Sequence, residues 1–147
     1  MLRITVVNAH RRYRLSRRRI SAYARRVLRG ERRKRGRFTI VFIDDRRCRR
    51  LNREFLGHDT VTDVISFPLE EGLNPEGEIY VNLDRARAQA TMYGVPFGNE
   101  VARLVIHGAL HLVGFDDRRR KDARRMLVRQ ERYVGVLADA GRTKREP

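Results

Sequence analysis

Among its 147 residues the chain has one cysteine, Cys48, no tryptophan and four prolines. A single thiol cannot close an internal disulfide or build a thiolate zinc site, so histidine and carboxylate are the metal ligands left. Four histidines keep that search short. No apolar run approaches the roughly 20 residues of a membrane helix, and MLRITVVNAHRRYR lacks the ordered charged, apolar and cleavage regions of a secretory signal. The expectation is a cytoplasmic protein with no membrane partner. Lysine is scarce as well, standing only at 34, 121 and 144, while acidic residues number 18 against 34 basic ones.

The resulting formal charge of +16 fits a protein that meets a polyanion. Between Arg11 and Arg37 fourteen basic residues are opposed only by Glu31, a stripe able to neutralise many phosphates. An arginine-biased composition accounts for Arg over Lys, but not for the excess of base over acid. Charge alone leaves RNA, DNA and an anionic membrane surface open.

Hydrophobic residues at 41% suffice for a core, and the length suits one domain. Strands are expected over 2–8, 37–44, 63–67 (stopped by Pro68) and 78–83. Helices are expected from Ser16, from Asp44 or Asp45 with Cys48, Leu51 and Phe55 inward, and over 84–93, 99–113 and 118–138. The last would turn Met126, Leu127, Tyr133, Val134 and Leu137 inward. This predicts a single compact α/β (α+β) domain over 1–140, with about four strands in a mixed sheet, about five helices and a disordered tail over 141–147.

The chemistry is concentrated in VIHGALHLVGFDD, residues 105–117. His107 and His111 stand four apart and project from one face of a helix that is otherwise almost wholly apolar. Burying two unpaired imidazoles is costly, and one metal ion satisfies a nitrogen of each. Gly114 follows where a helix turns back, and Asp117 comes three residues later. That spacing is the metzincin signature H-E-x-x-H-x-x-G-x-x-H with Gly108 for Glu and Asp117 for the third His. Asp116 is the competing ligand, and the alternative to a metal is a pair of core histidines bonded to backbone or carboxylate. Three protein ligands leave the fourth tetrahedral position open, as in a catalytic zinc, although two histidines and a carboxylate also suit Fe2+ or Mn2+. Without the glutamate that serves as base in zincin proteases, peptide hydrolysis loses ground to phosphodiester cleavage, which leans on electrostatic stabilisation.

Taken with LNREFLGHDTVTDVISFP from Leu51 and GEIYVNLDRARAQA from Gly77, the stretch HGALHLVGFDD resembles the YbeY family of bacterial endoribonucleases. The resemblance implies a zinc-dependent, single-strand-specific ribonuclease acting in 16S ribosomal RNA 3′-end maturation and ribosome quality control. Its partners would be ribosomal RNA and the small ribosomal subunit, with no organic cofactor. The family usually reads HGxLHLxGYDH, so His107 and His111 fall on its first two zinc ligands and Asp117 on its third. In the segment resembling LNxxYRGKDxxTDVLSFP, Leu56 replaces an arginine associated with activity, and Arg53, one helical turn earlier, is the candidate to reach that space. Asp63 and Ser66 match their motif, either as catalytic residues or as caps and pairs of the strand; His58 is a loop histidine. Two other readings stand beside the nuclease: a non-catalytic RNA-binding ribosome assembly factor with a structural metal, and a metalloprotease.

Overall fold

β-Branched and aromatic residues alternating along Gly36–Ile43 (β2) put Phe38, Ile40 and Phe42 on one face of a sheet, where all three are buried. Leu2–Asn8 (β1) pairs with it in parallel, and Arg17–Gly30 (α1) makes the crossover between them. The computed structural model describes the backbone of residues 1–145 and the side chains of residues 1–135. Glu76–Asn82 (β4) lies parallel to β2 on its other side, and Val64–Glu70 (β3) runs antiparallel to β4 at the edge, giving the order β1-β2-β4-β3. Asp45–Leu51 (α2), Leu83–Tyr93 (α3), Phe97–Leu112 (α4) and Arg120–Arg145 (α5) complete a single four-stranded, five-helix α+β domain. No helix among the described residues is long and apolar enough to cross a membrane.

Ser16 and Asp44 cap α1 and α2, their side chains accepting from the backbone N–H groups of Arg19 and Arg47. One core lies between the sheet face of Phe38, Ile40, Ile79 and Val81 and the helices, with Ile20, Val27 and Leu28 from α1 and Val101, Val105 and Ile106 from α4. A smaller cluster of Ile43, Cys48 and Ile65 fills the other face under α2. As its composition foretells, α4 is the central helix and buries Val101, Leu104, Val105, Ile106, Leu110 and Leu112.

Three expectations need correction. Pro68 does not stop its strand: β3 continues through it to Glu70, with Pro68 opposite Gly77. An edge strand has one side without ladder bonds, so a residue lacking an N–H is tolerated there. Phe55 is 65% exposed rather than inward. The helix widens after Leu51 into a π-helical turn over Asn52–Leu56, which rotates Phe55 off the inner face. Asn52 takes the buried place instead, its amide donating to the Thr60 carbonyl at 2.9 Å. Leu127 is exposed as well, because the inner face of α5 runs through Met126, Gln130 and Tyr133 at i, i+4 and i+7. The Leu137 side chain lies outside the described residues, and the tail expected over 141–147 overlaps the end of α5 and then leaves them.

Candidate metal centre

His107 and His111 sit on the last two turns of α4, at the floor of an open cleft of about 610 Å³. Leu56, Val64, Ser66, Pro68 and Leu112 contribute to its walls, so β3 runs beside the histidines. The side chains of His107 and His111 keep 28% and 27% of their surface, because the cleft opens above them; full burial, expected from the apolar helix, is not what the fold gives.

The helix ends by a Schellman motif, in which Phe115 N–H donates to the Leu110 carbonyl and Gly114 N–H to the His111 carbonyl. Gly114 supplies the positive φ, 108°, that this turn requires. The reversal swings Asp117 over the histidine face. His107 Nε2 and His111 Nε2 are 3.2 Å apart, and Asp117 Oδ2 lies 3.3 Å from His111 Nε2 and 3.9 Å from His107 Nε2. Tetrahedral zinc with bonds of about 2.0–2.1 Å holds its ligand atoms roughly 3.3–3.4 Å apart. Two of the three edges already have that length, and a small rotation of Asp117 closes the third. Among the described residues His107, His111 and Asp117 are the group of ligands that converges in this way.

The proton inventory supports the same conclusion. His107 Nδ1 is 2.7 Å from Gln130 Oε1, and His111 Nδ1 is 3.1 Å from the Phe115 carbonyl. Both oxygens only accept, so each Nδ1 carries the proton and each Nε2 presents a lone pair. Two lone pairs and a carboxylate facing one another repel unless a cation lies between them. Burial, then the neighbouring His107 ring, holds His111 below its ordinary pKa of 6.5, against an opposite pull from Asp117 and the Phe115 carbonyl. A neutral ring is the ligand form.

Without metal, the unfolded chain takes up the His111 proton at a higher pH than the folded one, so this residue's contribution to stability is intact above 6.5 and lost as pH falls from there through the lower folded value. Protons also compete for Nε2. Zinc retained after dialysis across a pH series is therefore expected to decline only below 6.5, in step with the acid-induced loss of stability; retention independent of pH would contradict ligation by these rings.

Gln130 was not foreseen from the sequence. It is a buried polar residue on the inner stripe of α5, flanked by Met126 and Tyr133, and that interruption of an apolar face is the signal that marks it. The register of α5 on α4 is fastened by Arg103, which reaches Glu131 at 3.1 Å and the buried Glu100 at 3.2 Å.

The remaining candidates divide. Asp63 and Ser66 line the cleft. Ser66 Oγ donates to the Gly108 carbonyl at 3.2 Å, and Asp63 accepts from Gln89 Nε2 at 3.1 Å, so both also tie the strand to neighbouring helices. His58 lines the cleft as well. Arg53 lies outside it, on the neighbouring surface of Arg46, Arg49 and Arg50, where it pairs with Asp59 at 2.8 Å. Asp116 pairs with Arg118 at 2.7 Å and turns away from the ligand set. His10 is structural: its Nδ1 accepts backbone N–H groups of Arg12 and Tyr13, so its Nε2 donates to Asp84 at 2.8 Å.

Residues 5–138 match the family model described as Endoribonuclease YbeY. The chain belongs to the YbeY family. Endoribonuclease YbeY of Chlorobium luteolum is 42% identical over 111 residues, covering 76% of this chain and 81% of the relative. That of Chlorobium phaeovibrioides is 43% identical over 97 residues, covering 66% of each. Among solved structures, TM1509 from Thermotoga maritima, known as a solution structure, superposes with a TM-score of 0.71 at 26% identity, covering 97% of this chain and 93% of that one.

Proposed function

We propose that this chain is a zinc-dependent, single-strand-specific endoribonuclease that acts in the cytoplasm on the 3′ end of 16S ribosomal RNA and in quality control of the small ribosomal subunit. The observation that carries the reading is the convergence of two histidine Nε2 atoms and one carboxylate at the floor of an open cleft. The ligand set leaves one tetrahedral position free toward that opening, the arrangement of a catalytic site rather than a closed structural one. Family membership supplies the substrate class, since the relatives bear the name endoribonuclease.

His107, His111 and Asp117 would hold the ion, and zinc there supplies Lewis acidity toward a phosphoryl oxygen and lowers the pKa of water. Gln130 and the Phe115 carbonyl fix the ring tautomers so that both Nε2 atoms face the ligand position. Leu56, Val64, Pro68 and Leu112 form an apolar wall beside the ligand position. His58 and Asp63, also in the cleft, are the groups that would hold or pass a proton. Arg53, engaged by Asp59, takes no part in this assignment.

A specific observation favours the second reading, a non-catalytic assembly factor. With Leu56 in place of the family's arginine, the described lining of the cleft contains no Arg or Lys to stabilise the phosphate. One assay separates the two. The purified chain with one equivalent of zinc is expected to cleave single-stranded RNA, to spare the same sequence in a duplex and to lose cleavage on chelation. Binding without cleavage would select the assembly factor, and peptide cleavage in its place would select the metalloprotease.

A further inference from the structure

Beside the metal centre, on the outer face of α5, lies a groove of about 790 Å³ whose apolar lining is Phe115 and Val128 and whose remaining lining is Lys121, Arg124, Arg125, Arg129 and Arg132. Five cations line it and no carboxylate does. Lys121, Arg125, Val128 and Arg132 follow one another at i, i+4, i+7 and i+11, which makes a single stripe about 16 Å long on a helix rising about 1.5 Å per residue. Arg129 is held in place, its guanidinium 6.0 Å from the centre of the Phe115 ring and 3.7 Å from Glu31. The exposed carboxylate of Glu131 on the same helix is already taken by Arg103.

The groove is joined to the chemistry by one residue. Phe115 contributes to the groove lining while its carbonyl fixes the His111 ring. We propose that the α5 groove is a track for single-stranded RNA, holding the phosphates of nucleotides that flank the bond presented to the metal centre; this deepens the nuclease reading and rests on it for the direction of the strand. A cleft without Arg or Lys has to obtain its hold on a polyanion from outside, and the groove is a concave surface lined by five cations and no carboxylate. The patch of Arg46, Arg49, Arg50 and Arg53 is a poorer match, because Asp45 lines it and Asp59 engages both Arg49 and Arg53. Arginines of α1 are plentiful, but Arg17, Arg18 and Arg19 stand exposed on its first turn and line none of the described pockets. An apolar lining between cations also suits bases laid against Phe115 and Val128, as in single-strand grooves generally.

The test is fluorescence anisotropy of the full chain with labelled single-stranded RNA over a range of salt. Arg124→Gln/Arg125→Gln/Arg132→Gln keeps good helix formers at exposed positions, and thermal unfolding checks that it folds. Its affinity for a long single strand is expected to fall roughly tenfold or more, with the slope of log K against log salt shallower by about 2, since each phosphate contact on a single strand contributes roughly 0.7. The loss is expected to shrink as the RNA is shortened to a trinucleotide. Arg17→Gln/Arg18→Gln/Arg19→Gln removes the same charge outside the groove and is expected to cost much less. Equal losses from the two triple variants would reduce the effect to net charge and overturn the track, as would a groove variant that binds like wild type, or one that loses anionic vesicles but keeps RNA. Wild-type chain that binds through the groove yet cleaves no RNA would leave the track standing and remove the nuclease.

Discussion

His111→Ala is expected to release the zinc and to lower turnover of single-stranded RNA on the order of 10³-fold, about 4 kcal/mol of transition-state stabilisation. Removing one of three ligands leaves the ion too few protein bonds for a stable site, and it leaves the His107 lone pair facing only Asp117, 3.9 Å away. His107→Ala should match it. Asp117→Ala is expected to fall less steeply in metal content, because the carboxylate stands at the exposed rim, 45% accessible, where water can occupy its place. Gln130→Leu touches no metal ligand atom, yet it removes the acceptor that fixes the His107 tautomer and should weaken zinc binding roughly 10–100-fold. Elemental analysis of the four purified variants, run beside RNA cleavage, reads the series. Equal zinc in His111→Ala and wild type would place the ion elsewhere, and cleavage that survives its loss would end the metal mechanism.

The ligand triad was legible because its determinants are local. Two histidines on one helix face, a glycine at the helix end and an acid three residues on lie within eleven consecutive positions, and helix geometry with one turn fixes their relative placement. Gln130 was hidden because it reaches His107 across 23 residues, and nothing in the periodicity of α5 says which helix its inner face will meet. The π-helical turn was hidden for a different reason. Cys48, Leu51 and Phe55 keep the spacing of a regular helix, and only the buried Asn52, bonded to Thr60, selects the wider turn. Ser66 and Asp63, read from the sequence either as catalytic residues or as caps and pairs of the strand, each line the cleft while bonding to a neighbouring helix. In the same way, the arginine stripe before residue 37 is the largest charge signal in the chain, but a groove depends on surfaces meeting. The residues on α5 that form one draw no notice in a sequence with 34 basic positions.

Gly108→Glu restores the zincin motif in sequence and is expected to yield a protein destabilised by at least about 3–5 kcal/mol with no peptidase activity. The residue after the first histidine points at the sheet here. A Cβ built on Gly108 would lie 2.6 Å from Ile79 Cγ2 and 3.1 Å from Ser66 Oγ, so a side chain at this position is driven into the sheet. Ile79 is fully buried on β4 and has no room to retreat, while the Gly108 carbonyl accepts the Ser66 hydroxyl that holds β3 to α4. A glutamate would have to push the helix from the sheet or bury a carboxylate against isoleucine, and the cost of an unpaired buried charge exceeds the helix propensity gained, about 1 kcal/mol over glycine. Gly108→Ala separates the two components: it adds overpacking of roughly 1–3 kcal/mol without the charge. Urea unfolding of both variants measures the difference, and a peptide substrate tests the activity. A Gly108→Glu protein as stable as wild type that hydrolyses peptides would require α4 to present a different face to the cleft, and the ligand geometry of His107 and His111 would fail with it.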